Sequence, residues 1–127
     1  MTAIGITDRT GACNCTSEAH DWKRRSERLV RASRRPCTIV RPSWFDHNVA
    51  NQHRLVFLQG DTRQACDPSD GVLARHQIAE VLLRSLASAS AIRKTFERVA
   101  ERGPAPSELD LLFANLEADA PGALDAC

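Results

Sequence analysis

The chain predicts an α/β fold, and three observations carry that prediction. Strand-like and helix-like segments alternate along it in the order β, α, β, loop, β, α, β, α. A basic helical pattern over 18–34 runs through Pro36 into the β-branched segment Cys37 to Arg41, which Pro42 stops; that is half of an α/β crossover unit. The 127 residues are 43% apolar, enough for one core that buries roughly two-thirds of the surface the unfolded chain exposes.

Thr2 to Thr7 is short and apolar and predicts a strand, followed by a polar stretch from Asp8 to Thr16. Thr16 or Ser17 predicts the N-cap of the first helix, with Glu18 and Asp21 at the positive end of its dipole. Ala19, Trp22, Ser26, Leu29, Val30 and Ser33 fall on one side at 3.6-residue spacing and predict the buried face, with Arg24, Arg25, Arg28, Arg31 and Arg35 opposite. Lys23 lies about 20° beyond Val30, at the border of the two faces, where a cation can reach a cleft.

After the buried strand Cys37 to Arg41, Ser43 to His53 predicts a loop carrying Trp44 and Phe45. Arg54 to Gly60 predicts the next strand, and Asp61 to Gly71 is rich in turn residues. Val72 to Leu86 predicts a helix capped by Asp70, with Val72, Ile78, Ala79, Leu82, Leu83 and Leu86 as its apolar stripe. Lys94 to Val99 alternates with period two and predicts a strand. Gly103 to Pro106 breaks the chain, and Ser107 caps a final helix, Glu108 to Glu117. The expected organisation is a single domain over 1–127, with an α/β portion over 1–103 and a C-terminal helix and acidic tail over 104–127.

Several chemistries are excluded or disfavoured. The six glycines (Gly5, Gly11, Gly60, Gly71, Gly103, Gly122) never stand at G-x-G spacing and none precedes a Lys, so neither a dinucleotide fingerprint nor a Walker loop is present. With no Tyr, no phenol can donate a proton. Five cysteines at irregular spacing disfavour a disulfide framework, and Cys13-x-Cys15 with His20 lacks the second ligand pair of a zinc site. No apolar run approaches the stretch of about 20 residues that spans a bilayer, and no export signal stands at Met1 to Asp8, so a cytoplasmic setting without membrane partners is expected.

Charge is uneven although its formal sum is +1. Seven bases lie between Lys23 and Arg35 against one acid, Glu27, while five acids and no base follow Pro104. A basic helix of this kind is expected as a solvated face rather than a nucleic-acid interface.

The run His20-Asp21-Trp22-Lys23-Arg24-Arg25-Ser26-Glu27-Arg28-Leu29-Val30-Arg31-Ala32-Ser33, followed by Pro36-Cys37-Thr38-Ile39-Val40-Arg41-Pro42, resembles the atypical short-chain dehydrogenase/reductases. Within them it is most similar to the NmrA-like, NAD(P)H-binding branch. Trp44-Phe45-Asp46-His47-Asn48, Gln59-Gly60-Asp61, Gln77-Ile78-Ala79-Glu80-Val81 and Lys94-Thr95-Phe96-Glu97 fall where that branch places corresponding segments.

The resemblance implies the C-terminal half of a Rossmann-like doubly wound parallel sheet, incomplete because the glycine-rich pyrophosphate turn is missing. It implies NAD(P) as cofactor in intact relatives, with weak or absent binding here. It carries Lys23 to the cofactor ribose and Arg41, Pro42 and Ser43 to the nicotinamide, with Thr38 as their neighbour. No catalytic residue is carried over, because the position four before Lys23, which holds the proton-donating Tyr in relatives, is Ala19. Arg34 replaces a glycine after the helix, where a left-handed backbone costs a non-Gly residue about 1 kcal/mol. The expectation is therefore a truncated oxidoreductase-family protein without independent catalysis. The alternative is a small interaction module using helix 18–34. Self-association through an exposed sheet edge is a further possible partnership.

Overall fold

The computed structural model of the chain describes residues 1–120, so part of the expected acidic tail, Asp125 included, lies outside the described residues. Among the described residues five strands and four α-helices, with two short 3-10 turns, form an open α/β fold. The central strand is β5 (Lys94–Glu101), paired in parallel with β1 (Thr38–Pro42) from Thr38↔Lys94 to Pro42↔Arg98. On its other edge β5 pairs antiparallel with β3 (Arg54–Leu58). Where β1 ends, the short β4 (Val72–Leu73) takes over the pairing at Val72↔Ala100, and β2 (Trp44–Phe45) pairs in parallel with β4.

Helices cover both faces of this sheet, as in a Rossmann-like doubly wound fold that is incomplete. α2 (Ala19–Ala32) lies over the face carrying Arg41 and Glu97, and α3 (Arg75–Ala87) and α4 (Leu109–Ala114) lie over the face carrying Val40 and Phe96. The α3/α4 side holds the apolar core, including Val40, Leu55, Leu73, Ile78, Val81, Phe96 and Phe113. At its centre Phe57, Phe96 and Phe113 stack with ring centroids 4.5, 5.3 and 5.9 Å apart. Arg98 is also wholly buried, its guanidinium without a hydrogen-bond partner among the described residues, and burial lowers its pKa to about 10 against the opposing charge of Glu80.

Several local expectations change. Thr2 to Thr7 does not form a strand. Its first residues run beside β1 (Thr2 N–H to Val40 O, 2.9 Å; Ile4 N–H to Pro42 O, 3.0 Å), and the chain then turns at Gly5, whose φ of 75° is a glycine conformation. The polar stretch contains a short helix, α1 (Ala12–Ser17), so neither Thr16 nor Ser17 is an N-cap; Glu18 at φ 49° joins α1 to α2. Asp70 does not cap α3: its carboxylate accepts from Ala65 and Cys66 N–H, while α3 starts at Arg75 with Gln77 reaching back to Ala74 N–H. Val72 is in β4, and Leu83 and Leu86 are 70% and 86% exposed rather than part of the buried stripe. β2 forms within the expected loop, and Glu108, not Ser107, precedes α4. Arg34 does adopt φ 58°, the left-handed C-terminal position the helix end requires.

The largest change concerns α2, which is turned inside out. Trp22, Leu29 and Val30 are 59%, 74% and 45% exposed, while Glu27 is 3% exposed. Arg24 and Arg31 also turn inward, to Thr7 O and to Glu27 and Thr95 Oγ1.

Candidate functional site

The inverted helix is held by a buried charge network, and the same helix carries His20 and Lys23 into the lining of a cleft. Arg41 on β1 donates to both Glu27 oxygens (3.1 and 2.8 Å) and to Glu97 on β5 (3.3 Å). Thr2 Oγ1 donates to Glu27 as well. Glu97 in turn accepts from Asp61 N–H, and the Asp61 carboxylate accepts from Gly5 N–H (2.6 Å) and Thr7 N–H (2.8 Å). The chain from α2 through β1 and β5 to the N-terminal turn is therefore continuous. Burial works against the charge on Arg41, but its hydrogen bond to Glu27 and the charges of Glu27, Asp61 and Glu97 outweigh it and hold the pKa above the ordinary arginine value. Burial pushes Glu97 above the usual carboxylate range, opposed by the Asp61 hydrogen bond and by Arg41.

Between α2, the Ile4–Gly5 turn and the end of β1 lies a cavity of about 200 Å³. Lys23, Pro42 and Ser43 line it together, as do His20, Trp44 and Gln64. Gly5 also lines it, and its φ of 75° is a left-handed backbone that favours glycine. Pro42 and Ser43 are buried; Ser43 N–H donates to Arg98 O at 3.1 Å, while Ser43 Oγ has no hydrogen-bond partner among the described residues. Lys23 sits at the rim, where partial burial lowers its pKa from the ordinary lysine value.

Arg41 and Thr38 are not in this cleft. Arg41 faces the charge network on the α2 side, and Thr38 Oγ1 donates to Ala91 O at 2.7 Å near the start of β1. Arg41 is held away by its carboxylate partners Glu27 and Glu97, while Pro42 and Ser43, where β1 ends, line the cleft.

His20 was singled out from sequence only as a zinc candidate, and no group of three or more metal-ligating side chains occurs among the described residues. Its Nδ1 stands 3.3 Å from Gly5 O, which makes it the donor nitrogen and leaves Nε2 as an acceptor. Burial and the Lys23 charge lower its pKa, so the ring is neutral at pH 7. Cys13 and Cys66 also line the cleft, joined by a disulfide across 53 residues although their irregular spacing disfavours a disulfide framework. Cys15 is a free, exposed thiol. The sequence signal for the network was present in Glu27, the one acid among seven bases from Lys23 to Arg35.

No helix among the described residues is long and apolar enough to cross a membrane. A family model described as NAD(P)H-binding matches residues 1–89. A search of curated proteins finds no match.

Proposed function

Because the chain belongs to the NAD(P)H-binding family, we propose that the cleft takes the nicotinamide-ribose end of a nicotinamide dinucleotide, and that the chain alone binds the whole cofactor only weakly. Ser43 Oγ carries this reading. A buried hydroxyl left unpaired costs about 1–3 kcal/mol, a penalty a ligand amide or hydroxyl would remove. Around it the donor set suits a polar ring and a sugar: the Lys23 ammonium offers hydrogen bonds to ribose hydroxyls, and neutral His20 offers an acceptor at Nε2. Pro42 supplies a flat apolar surface for the ring.

Size sets the limit. A cavity of about 200 Å³ is smaller than the roughly 300–1,000 Å³ of sites that enclose drug-sized ligands, so it accommodates one end of a dinucleotide. No glycine-rich turn in the sequence offers backbone N–H groups to a pyrophosphate. Bound nicotinamide supplies hydride transfer. With Ala19 four residues before Lys23 and no Tyr, the phenol-dependent proton route is closed, and independent catalysis is not part of this proposal.

NADPH titration followed by its fluorescence tests the reading. Weak enhancement that Lys23→Met abolishes supports it, whereas micromolar affinity for the chain alone overturns the weak-binding claim.

A second reading, an interaction module using helix 18–34, rests on the outward Trp22, Leu29 and Val30, exposed side by side with Arg25 stacked 4.5 Å over the Trp22 ring. Sedimentation velocity separates the two: self-association lost in Trp22→Ser/Leu29→Ser favours the module, and a monomer at all concentrations removes its simplest form.

A further inference from the structure

Dinucleotide binding leaves one part of the cleft unused, the covalent bridge at its rim. Cys13 on α1 and Cys66 in the 61–71 loop both line the cavity and are joined to each other. The two sides of that bridge are anchored very differently. On the loop side, Cys66 sits at φ 63°, a conformation that non-glycine residues rarely adopt, and buried Asp70 holds it there by accepting from Ala65 N–H (2.8 Å) and Cys66 N–H (2.7 Å). Arg63 also donates to Asp70 O, so the loop has its own scaffold.

On the other side, α1 has little to keep it in place. It is six residues long, its N-cap makes no side-chain hydrogen bond, and none of its described side chains is buried. Its noncovalent ties to α2 include a hydrogen bond from Asp21 N–H to Asn14 Oδ1 and, from the preceding residue Arg9, an exposed ion pair to Asp21 at 3.5 Å. An isolated helix of this length is far below the roughly 12–15 residues that are marginally stable in water. Neither cysteine of the bridge is fully buried and both line the cavity, which gives a small thiol a path toward the bridge.

We propose that the Cys13–Cys66 bridge is a redox-operated strap on the cleft, through which an external dithiol releases α1 (Ala12–Ser17) and opens the rim beside His20 and Lys23. A dithiol thiolate attacks one sulfur to form a mixed disulfide, and its second thiol then displaces that sulfur. The bridge gains two electrons and two protons to give two thiols, and the dithiol leaves as a cyclic disulfide. The loop stays built by Asp70, while α1 detaches. As regulation of a dinucleotide site this rests on the reading above; the release of α1 does not.

The test is hydrogen–deuterium exchange with peptide mapping on the full chain, with and without dithiothreitol. Reduction should speed exchange of the 12–18 amides by about tenfold or more, while β5 amides stay protected. A Cys13→Ser/Cys66→Ser variant should reproduce the reduced pattern without dithiothreitol, which separates this bridge from other effects of the reductant. Where that variant folds poorly by circular dichroism, Cys13→Ser alone, with Cys66 alkylated, provides the same comparison. Unchanged α1 exchange on reduction overturns the proposal, as does a peptide map of the air-oxidised chain in which Cys13 and Cys66 alkylate as readily as Cys15. NADPH titration in both states reads the consequence for the cleft: about fivefold weaker binding after reduction is expected, and equal affinity with α1 released overturns the gating. Release of α1 with no NADPH binding in either state supports the strap and defeats the dinucleotide reading instead.

Discussion

The two faces of the sheet solve the same packing problem with opposite chemistry. Under α3 and α4 three phenylalanine rings and branched aliphatics exclude water. On the α2 side the ion pairs of Glu27, Arg41, Glu97 and Arg31 lie beside the buried aliphatics Ile39 and Val99. Apolar contacts tolerate small shifts because dispersion has no preferred direction. A bidentate Arg–carboxylate pair fixes orientation and register, at a desolvation penalty that can exceed its Coulombic gain. The difference teaches that the α2 side gains placement more than stability. Placement is what the cleft needs, since α2 carries His20 and Lys23 to its rim.

The strongest way to break this contrast is to remove one partner on each side. Arg41→Met takes from buried Glu97 the arginine it pairs with and leaves Glu27 with Arg31 and Thr2, and should cost about 3–5 kcal/mol in urea unfolding. Phe113→Ala leaves a cavity and should cost a similar amount, about 3–5 kcal/mol. Repair is what distinguishes them. Adding Glu27→Leu and Glu97→Leu to Arg41→Met should restore most of the loss, whereas no polar substitution will rescue Phe113→Ala. Failure of the triple variant to recover would show that the network contributes net stability after all.

Titration gives a smaller effect with two opposite signs. Glu97 has a raised folded pKa, so its contribution is fully present below about pH 4.5 and is lost as pH rises through the folded value. His20 has a lowered folded pKa, so its contribution is present above about pH 6.5 and is lost as pH falls through the folded value. Urea midpoints between pH 7.5 and 5.5 should therefore lose their downward trend in His20→Gln, and those between pH 7 and 4.5 should fall more steeply on acidification in Glu97→Gln than in the wild-type chain.

The smallest effect probes the inversion itself. Leu29→Ser should change stability by no more than about 0.5 kcal/mol, because its side chain already faces water. A loss of 2 kcal/mol or more would mean that the helix buries the face its apolar periodicity predicts.

Helices α2, α3 and α4 and strand β5 were legible by their periods, and β1 and β3 as short apolar runs beside Pro42 and Gly60. The orientation of α2 was not. Periodicity weighs only apolar residues, and the inner face of α2 is made of charges whose partners lie far away in sequence, Arg41 and Thr2 for Glu27 and Thr95 for Arg31. Gln77 was likewise hidden: as the cap of α3 it closes a bond with Ala74, which carries no capping side chain of its own. For the cleft, the resemblance pointed to Lys23, Pro42 and Ser43, and these do meet. The resemblance carried Arg41 along with them, but the carboxylates of Glu27 and Glu97 hold its guanidinium outside the cleft lining. The Cys13–Cys66 pairing spans 53 residues and depends on tertiary geometry that spacing alone does not encode.

The outward turn of α2 also shapes how the molecule can be observed. The chain has two Trp and no Tyr, so nearly all its ultraviolet emission comes from two indoles in contrasting surroundings: Trp22, 59% exposed under Arg25, and Trp44, half-buried in the cleft wall. Trp22→Phe would leave a single chromophore whose emission, and whose energy transfer to any bound reduced nicotinamide, reports on the cleft alone.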